Sequence, residues 1–461
     1  MKPKSVTRRK FIASTSAGAA GAVLASSLPV FGAATGAATG AATGAASAPA
    51  LRGGTPVRTK PWLSWPVWDP EAETPMMELL RSGDWYRGDG NKCREFEREY
   101  ARLIGAKRVI ATASGSAALI ASLHVAGVDA GDEVIVSPFT FIASYNVVFD
   151  RHALPVFADT DPETFTINPH KIEERINERT RALLPVHICG LPADMNRILA
   201  IAEKHDLPVI EDACQAWLAE YDGKMCGTLG DLGCFSFQNS KHIPSGEGGA
   251  ISGANDALMD RCFAYHNCGR PHGKSMAGMK QNPIRGSNRR LTEVQAGLLL
   301  SQMGRARSDA DKRLENALYL DERLKEIPGI VPYKLSDGAT RSSYHLYPFR
   351  YRQEHFDGLS RDTFRRAMQA EGIPCGEGYG PQYFDGLIEE AISSRGYKRL
   401  FPEQRLRSYR EELHDLPDND QLTREALWFY QNMLLAGRSD MDDIVNAVRK
   451  IYENRKRLQK T

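Results

Sequence analysis

Between Val109 and Phe237, short apolar runs alternate with segments of helical length, and this alternation limits the fold more than any other feature of the chain. Val109–Ala113, Glu133–Ser137, Leu154–Ala158, Ala182–His187, Pro208–Glu211 and Cys234–Phe237 read as strands. Ser116–Ala126, Phe141–Phe149, Lys171–Ile176 and Pro192–His205 read as the helices between them. Strands spaced by helices of about ten residues imply a mixed, mainly parallel α/β sheet. Upstream lies an aromatic stretch with Trp62, Trp65, Trp68 and Trp85, then a helix over Cys93–Leu103. Downstream a long helix is predicted over Leu291–Glu326, with Thr292 at its cap. From Asp311 the pattern changes to a smaller α+β domain, with a strand over Ser343–Tyr351, a helix over Arg361–Glu371 and a closing amphipathic helix over Asp440–Lys456. The highly charged stretch Phe384–Asn419 reads as an insertion or as surface helices. The expected division is 1–50, 51–310 for a large domain, and 311–461 for a small one.

Of the 461 residues, 42% are hydrophobic and 25% charged, which fits a folded soluble protein and excludes a disordered chain, a collagen or a polytopic membrane protein. The net charge of +2 gives no electrostatic argument for nucleic acid or for an acidic membrane surface. Lys2, Lys4, Arg8, Arg9 and Lys10 precede an apolar, small-residue stretch from Phe11 to Ala34. The run Thr7-Arg8-Arg9-Lys10-Phe11-Ile12 resembles a twin-arginine export signal, with cleavage expected near Gly32–Ala37. The apolar stretch is too rich in Ser and Gly to hold a membrane span, so none is expected in the mature form. Ala-Ala-Thr-Gly then occurs three times from Ala33 to Gly44, as a flexible linker. The eight cysteines are scattered and form no Cys-x-x-Cys pair, so free, buried thiols are expected. Cys262, His266, Cys268 and His272 fit no tight metal-site spacing, and no metal is expected.

Four local features carry chemistry. Ala111–Leu119 joins a strand to a helix through small residues, where backbone amides and the Ser114 and Ser116 hydroxyls can approach an anion. Asp212 ends an apolar strand, the position at which open α/β sheets place their ligands. A carboxylate there can hold a protonated ring nitrogen, or simply cap the next turn. Lys241 follows a strand and precedes the glycine-rich segment from Gly246, a setting that lowers a lysine pKa and makes it a nucleophile and base. Asn288 and its neighbouring arginines open the long helix and offer an anion site, or a solvated basic turn.

Together, Glu211-Asp-Ala-Cys-Gln215, Phe235-Ser-Phe-Gln-Asn-Ser-Lys241, Gly246-Glu-Gly-Gly249 and Gly286-Ser-Asn-Arg-Arg-Leu291 resemble the DegT/DnrJ/EryC1/StrS family of pyridoxal-phosphate (PLP) aminotransferases. Pro138–Ala143 and His187–Gly190 add to the resemblance, which runs from Trp85 to the end of the chain. It implies a type I aminotransferase fold. It also implies that Lys241 forms the internal aldimine with PLP, that Asp212 pairs with the ring nitrogen, and that Gln215 lies near the ring's phenolic oxygen. Phe141 would stack on the ring, and Gly115, Ser116 and Ser236 would bind the phosphate. Asn288 would reach the phosphate across the interface of a homodimer. The implied substrates are a keto-sugar or keto-cyclitol and, as amino donor, L-glutamate or L-glutamine. A related dehydratase branch carries histidine where Lys241 stands, so the lysine favours transamination; a non-catalytic exported binding homologue is the third reading. The adjacent His242 is expected to be only a neighbour.

Overall fold

The computed structural model describes residues 48–384 and 386–459. The twin-arginine run, the apolar stretch behind it and the Ala-Ala-Thr-Gly repeats lie outside these residues. Among the described residues no helix is long and apolar enough to cross a membrane.

The strands, in chain order, are β1 (Arg108–Thr112), β2 (Glu133–Val136), β3 (Leu154–Phe157), β4 (Thr180–Leu184), β5 (Ile210–Asp212), β6 (Glu220–Tyr221), β7 (Lys224–Met225), β8 (Leu232–Ser236), β9 (Gly249–Gly253), β10 (Ile330–Pro332), β11 (Ala339–Arg341), β12 (Leu346–Tyr351), β13 (Gly376–Glu377) and β14 (Ala426–Tyr430). β3, β2 and β4 pair in parallel. Parallel bridges Leu183–Val209 and Val186–Asp212 join β4 to β5. β5 runs parallel to β8, and β9 runs antiparallel to both β8 and β1. The order is therefore β3-β2-β4-β5-β8-β9-β1 with β9 alone reversed, the mixed and mainly parallel sheet that the alternation implies.

Two helical layers cover the sheet, and their composition says which is which. The helix Gly115–Val125 is apolar nearly all round and almost wholly buried, as a helix enclosed between layers must be. The helix Lys92–Ile104 instead buries one stripe, Cys93, Phe96, Tyr100 and Ile104. That stripe packs Phe96 on Phe237 and Tyr100 on Phe235 and Trp217. A second sheet, β10-β12-β14-β13, is antiparallel throughout. The helix Arg438–Glu453 lies in this α+β part, with Met441, Ile444, Val448 and Ile451 buried.

Several expectations need correction. The long helix is two helices, Glu293–Leu300 and Met303–Leu324. Gln302 causes the break: its side-chain amide donates to the Leu298 and Pro244 carbonyls (2.6 and 2.7 Å). It thereby takes the acceptor its own backbone N–H would need, and that N–H bonds to Leu299 instead. Thr292 does cap the first helix, in a reciprocal box with Gln295. Lys171–Ile176 is two short 3₁₀ turns, not a helix, because Pro169 opens the first and Ile176 is extended. The helix expected from Pro192 starts at Met195, capped by Asp194. The Ser343–Tyr351 strand starts at Leu346, because Tyr344 adopts a left-handed conformation (φ 52°). The charged stretch forms surface helices, Leu387–Ser393, Glu403–Glu412 and Pro417–Glu425. Their inner faces bury Ile388, Ile392, Leu406 and Tyr409, and the Tyr409 hydroxyl donates to the Pro155 carbonyl of edge strand β3 (2.6 Å). All eight cysteines are free, and Cys214 and Cys268 are only half-buried.

One buried group ties the central strands. Glu211 accepts the amides of Gly227, Leu229 and Gly230 (2.6, 2.7 and 2.7 Å). It also takes the Nε2–H of His187 (2.9 Å), whose Nδ1 accepts the Ala193 amide and is therefore unprotonated. Glu211→Gln puts an amide NH2 against these donors. Urea unfolding is expected to show a loss of about 3 kcal/mol; an unchanged midpoint and slope would contradict this role.

Candidate active site

The register brings the site together. Asp212 pairs with Cys234, Ser236 with Gly249, and Gly249 with Thr112. The ends of β5, β8 and β1 and the start of β9 therefore share one edge of the sheet. Asp212 ends β5 there, Ser236 ends β8, Gly115 opens the helix after β1, and Lys241 lies on the loop that joins β8 to β9.

Asp212 is buried (4% exposed) and pinned at both oxygens. Oδ2 accepts the Ser144 hydroxyl (2.7 Å), itself paired with Thr140 (2.7 Å), and Oδ1 accepts the Cys214 amide (3.1 Å). Gln215 is fixed from both ends: Oε1 accepts the Cys189 amide and Nε2 donates to the Tyr379 hydroxyl, both at 2.9 Å. Tyr379 comes from the far side, beyond β13, and packs edge-on against Phe139.

Lys241 is half-buried. Burial pulls its pKa below the ordinary lysine value, against the opposing fields of Cys214 and Asp212. Its Nζ lies 3.3 Å from Nε2 of His345. Burial, and then the Lys241 charge, push His345 far below the usual histidine range, so its ring is neutral. His242 turns away: it is buried, its Nε2 meets the Ser343 carbonyl (2.9 Å), and it packs beside Trp217. The neighbour reading of His242 thus agrees with its geometry.

The small residues of β1 and β9 also find their reason. A Cβ on Gly115 would lie 2.8 Å from the Cys214 sulfur and 3.0 Å from the Ser236 Cβ. A Cβ on Gly249 would lie 2.4 Å from the Ser114 carbonyl. Only glycines let the helix start approach the end of β8 and the start of β9 this closely. The Ser114 hydroxyl caps that helix by accepting the Ala117 amide (3.0 Å), which leaves the Gly115 and Ser116 amides directed out of its end. Ser116 is half-buried, and Ser236 Oγ accepts the Gln238 amide (3.3 Å). Phe141 is 54% exposed, three residues before Ser144.

Asn288 stands on a separate strand-like segment. It is exposed, bridges Asn267, and accepts the Arg290 amide at its own Oδ1 (3.4 Å). The segment nevertheless runs beside the end of β1, with a Thr112–Arg290 bridge and the Ala113 amide on the Arg289 carbonyl (2.8 Å).

Sequence reasoning missed Ser144, Tyr379 and His345. Ser144 lies one residue past the quoted Pro138–Ala143 run and has only a helix start as its signal. His345 is the one histidine in an aromatic stretch, Ser343–Tyr347, that reads as strand core.

This donor set fits PLP: a pinned carboxylate for a ring nitrogen, a lysine amine on the same edge, and a helix end with two glycines spared of Cβ for a phosphate. The comparisons agree. An L-glutamine:2-deoxy-scyllo-inosose aminotransferase of Streptoalloteichus tenebrarius is 35% identical over 422 residues, covering 89% of this chain and 99% of that protein. A protein of the same name from Micromonospora echinospora is 34% identical over 423 residues, with the same coverage. Among solved structures, an aminotransferase from Psychrobacter cryohalolentis superposes with a TM-score of 0.74 at 30% identity, over 86% of this chain and 99% of that one. 3-Amino-5-hydroxybenzoic acid synthase superposes with a TM-score of 0.73 at 29% identity, over the same shares. Residues 69–400 match the DegT/DnrJ/EryC1/StrS aminotransferase family, and the chain belongs to it as a PLP-dependent aminotransferase.

Proposed function

We propose that the protein moves an amino group from L-glutamine or L-glutamate to the ketone of a cyclitol or sugar ring, with a keto-cyclitol favoured. The observation that carries this reading is the pairing, on one sheet edge, of a lysine amine with a lowered pKa and a buried carboxylate pinned at both oxygens. The choice of ring rests on the relatives whose printed names are L-glutamine:2-deoxy-scyllo-inosose aminotransferases.

When bound, PLP supplies an electron sink that acidifies the α-carbon of an amino donor. The chain's residues do the rest. Asp212, immobilised by Ser144 and Cys214, holds the ring nitrogen protonated. The Gly115 and Ser116 amides and Ser236 receive the phosphate. Gln215, held by Cys189 and Tyr379, orients the phenolic oxygen, and Phe141 covers the ring face. The Lys241 amine, its pKa lowered by burial, would carry the proton between the donor's α-carbon and the cofactor's C4′. Run in reverse with the ketone, the same steps form the new amine.

The enzyme works as a homodimer in which Asn288 of each chain completes the phosphate site of the other. It is exported by the twin-arginine route. The exposed Trp85, Tyr86, Met77 and Leu80 support burial against a second copy.

Five measurements test this reading. Purified protein with PLP is expected to show a cofactor absorption band that shifts on adding L-glutamine or L-glutamate; no band, or an inert one, sinks the assignment. Lys241→Ala should lose turnover by about 10²–10⁴-fold or more while keeping its melting temperature. Asp212→Asn should retain bound cofactor and lose about 10²-fold in rate. Ser144→Ala removes one bond to the Asp212 carboxylate and should weaken cofactor binding about tenfold in a titration. For the dimer, mixing inactive Lys241→Ala with inactive Asn288→Ala should restore about a quarter of wild-type activity, because each mixed dimer carries one intact shared site. No recovery on mixing would count against sharing.

A further inference from the structure

The aromatic segment that precedes the matched family residues is fastened at one end and reaches the catalytic lysine at the other. The Ala50 and Val57 amides both end on the Glu371 carboxylate (2.8 and 3.0 Å), which Lys450 also meets (2.9 Å). Arg58 is buried, with Asp440 at 2.6 Å and Asp443 at 2.9 Å, and its guanidinium lies 3.9 Å over the Trp62 ring. The Trp62 indole donates to the Gly372 carbonyl (2.9 Å), and Asn432 donates to the Leu63 carbonyl (2.6 Å). All of these partners belong to the smaller, C-terminal part of the chain. Two residues later the segment changes partner. The Trp65 indole N–H donates to the backbone carbonyl of Lys241 (3.0 Å). The Trp65 ring is flanked by the guanidinium groups of Arg313 (5.4 Å) and Arg305 (5.8 Å). Arg305 also takes the Val67 carbonyl (3.0 Å), and Arg313 is buried and held on Gln431 (2.9 and 2.5 Å).

Lys241 needs such a hold. It lies outside regular structure, and its own amide is secured only by a turn to the Gln238 carbonyl (2.8 Å). Its carbonyl has Trp65. Beyond that bond, Pro66–Asp69 and the lysine loop residues Asn239 and Pro244–Gly246 line a groove of about 290 Å³. Segment and loop face each other across this groove, and the indole bond joins them beside it.

We propose that Trp65 is a positioning residue for the transamination, a proposal that rests on the reading of Lys241 given above. Its indole N–H fixes the main chain of Lys241, and thereby the place where the amine meets the reacting carbon. A displacement of about 1 Å in such a group costs about 10²-fold in rate. Trp65 then belongs to the active site although it lies outside the matched family residues 69–400.

Trp65→Phe keeps an aromatic ring between Arg305 and Arg313 and deletes the N–H. Trp62→Phe makes the same change three residues earlier and serves as control. Both, with the wild type, are compared in the rate at which PLP is captured on Lys241 (borohydride trapping and mass measurement), in kcat and KM for the ketone, and in melting temperature. Trp65→Phe should slow capture and lower kcat by about 10- to 100-fold with KM within about twofold, while Trp62→Phe keeps both rates near wild type at a similar loss of melting temperature. Wild-type rates in Trp65→Phe overturn the proposal. Equal rate losses in the two variants also overturn it, because they assign the effect to docking of the whole segment. If Trp65→Phe does not fold, 3-benzothienylalanine at position 65, an indole isostere without the N–H, is put through the same comparison. If the wild type itself traps no PLP on Lys241, the reading of that lysine fails and this proposal with it; a failure confined to the variant ratio removes this proposal alone.

Discussion

The structure depends on a strand end at which two neighbouring carboxylates do opposite work. Successive residues of a strand point to opposite faces. Glu211 points inward to three backbone amides and His187, and so binds the segment Gly227–Gly230 and the end of β4 to β5. Asp212 points to the site and is met by Ser144 and Cys214. The first carboxylate is consumed by the fold. The second is held still by the fold and faces the site. Moving the strand by one residue would exchange the two roles and destroy both, so the site's geometry rests on the same register that makes the sheet.

The chemistry of Lys241 follows from where that register leaves the chain. β8 ends at Ser236, and the lysine sits five residues beyond it on a loop that returns as β9. Gly115 and Gly249 allow the β1–helix turn to pack against the strand ends that flank this loop, and the lysine on the loop is half-buried. Burial disfavours the ammonium form, and that shift makes a lysine useful as a proton carrier. A neutral His345 within 3.3 Å adds no competing positive charge. The amine is thus tuned mainly by desolvation, with Asp212 and Cys214 restraining the shift.

What the sequence made legible was local. The strand–helix alternation, the fold class and the grouping of Asp212, Gln215, Ser236 and Lys241 on one edge all follow from short segments whose own residues carry the signal. What it hid depends on partners far along the chain. The break at Ser301–Gln302 exists because a side chain reaches the Pro244 carbonyl, which no helical periodicity encodes. Tyr379 meets Gln215 across 164 positions, and His345 meets Lys241 across 104. Trp65 looked like one of several aromatic residues in a mixed stretch; its indole bond spans 176 positions. Asn288 was readable as a motif residue, but its work, as proposed, lies in a second chain, which one chain's contacts do not display.

The cysteines and the proposed export bear on each other. The thiolate is the reactive form of cysteine, and burial suppresses it. Burial raises the pKa of Cys93, Cys189, Cys214, Cys226, Cys234, Cys262 and Cys375. Cys189 and Cys214 flank the site through their backbone amides, on Gln215 and Asp212, and not through sulfur. Once folded, such thiols are protected from an oxidising compartment; in the unfolded chain they are not. A route that carries a chain already folded preserves both the free thiols and the backbone geometry they occupy. The sulfur chemistry of this protein therefore favours completion of the site, Lys241 loop included, before any transfer across a membrane.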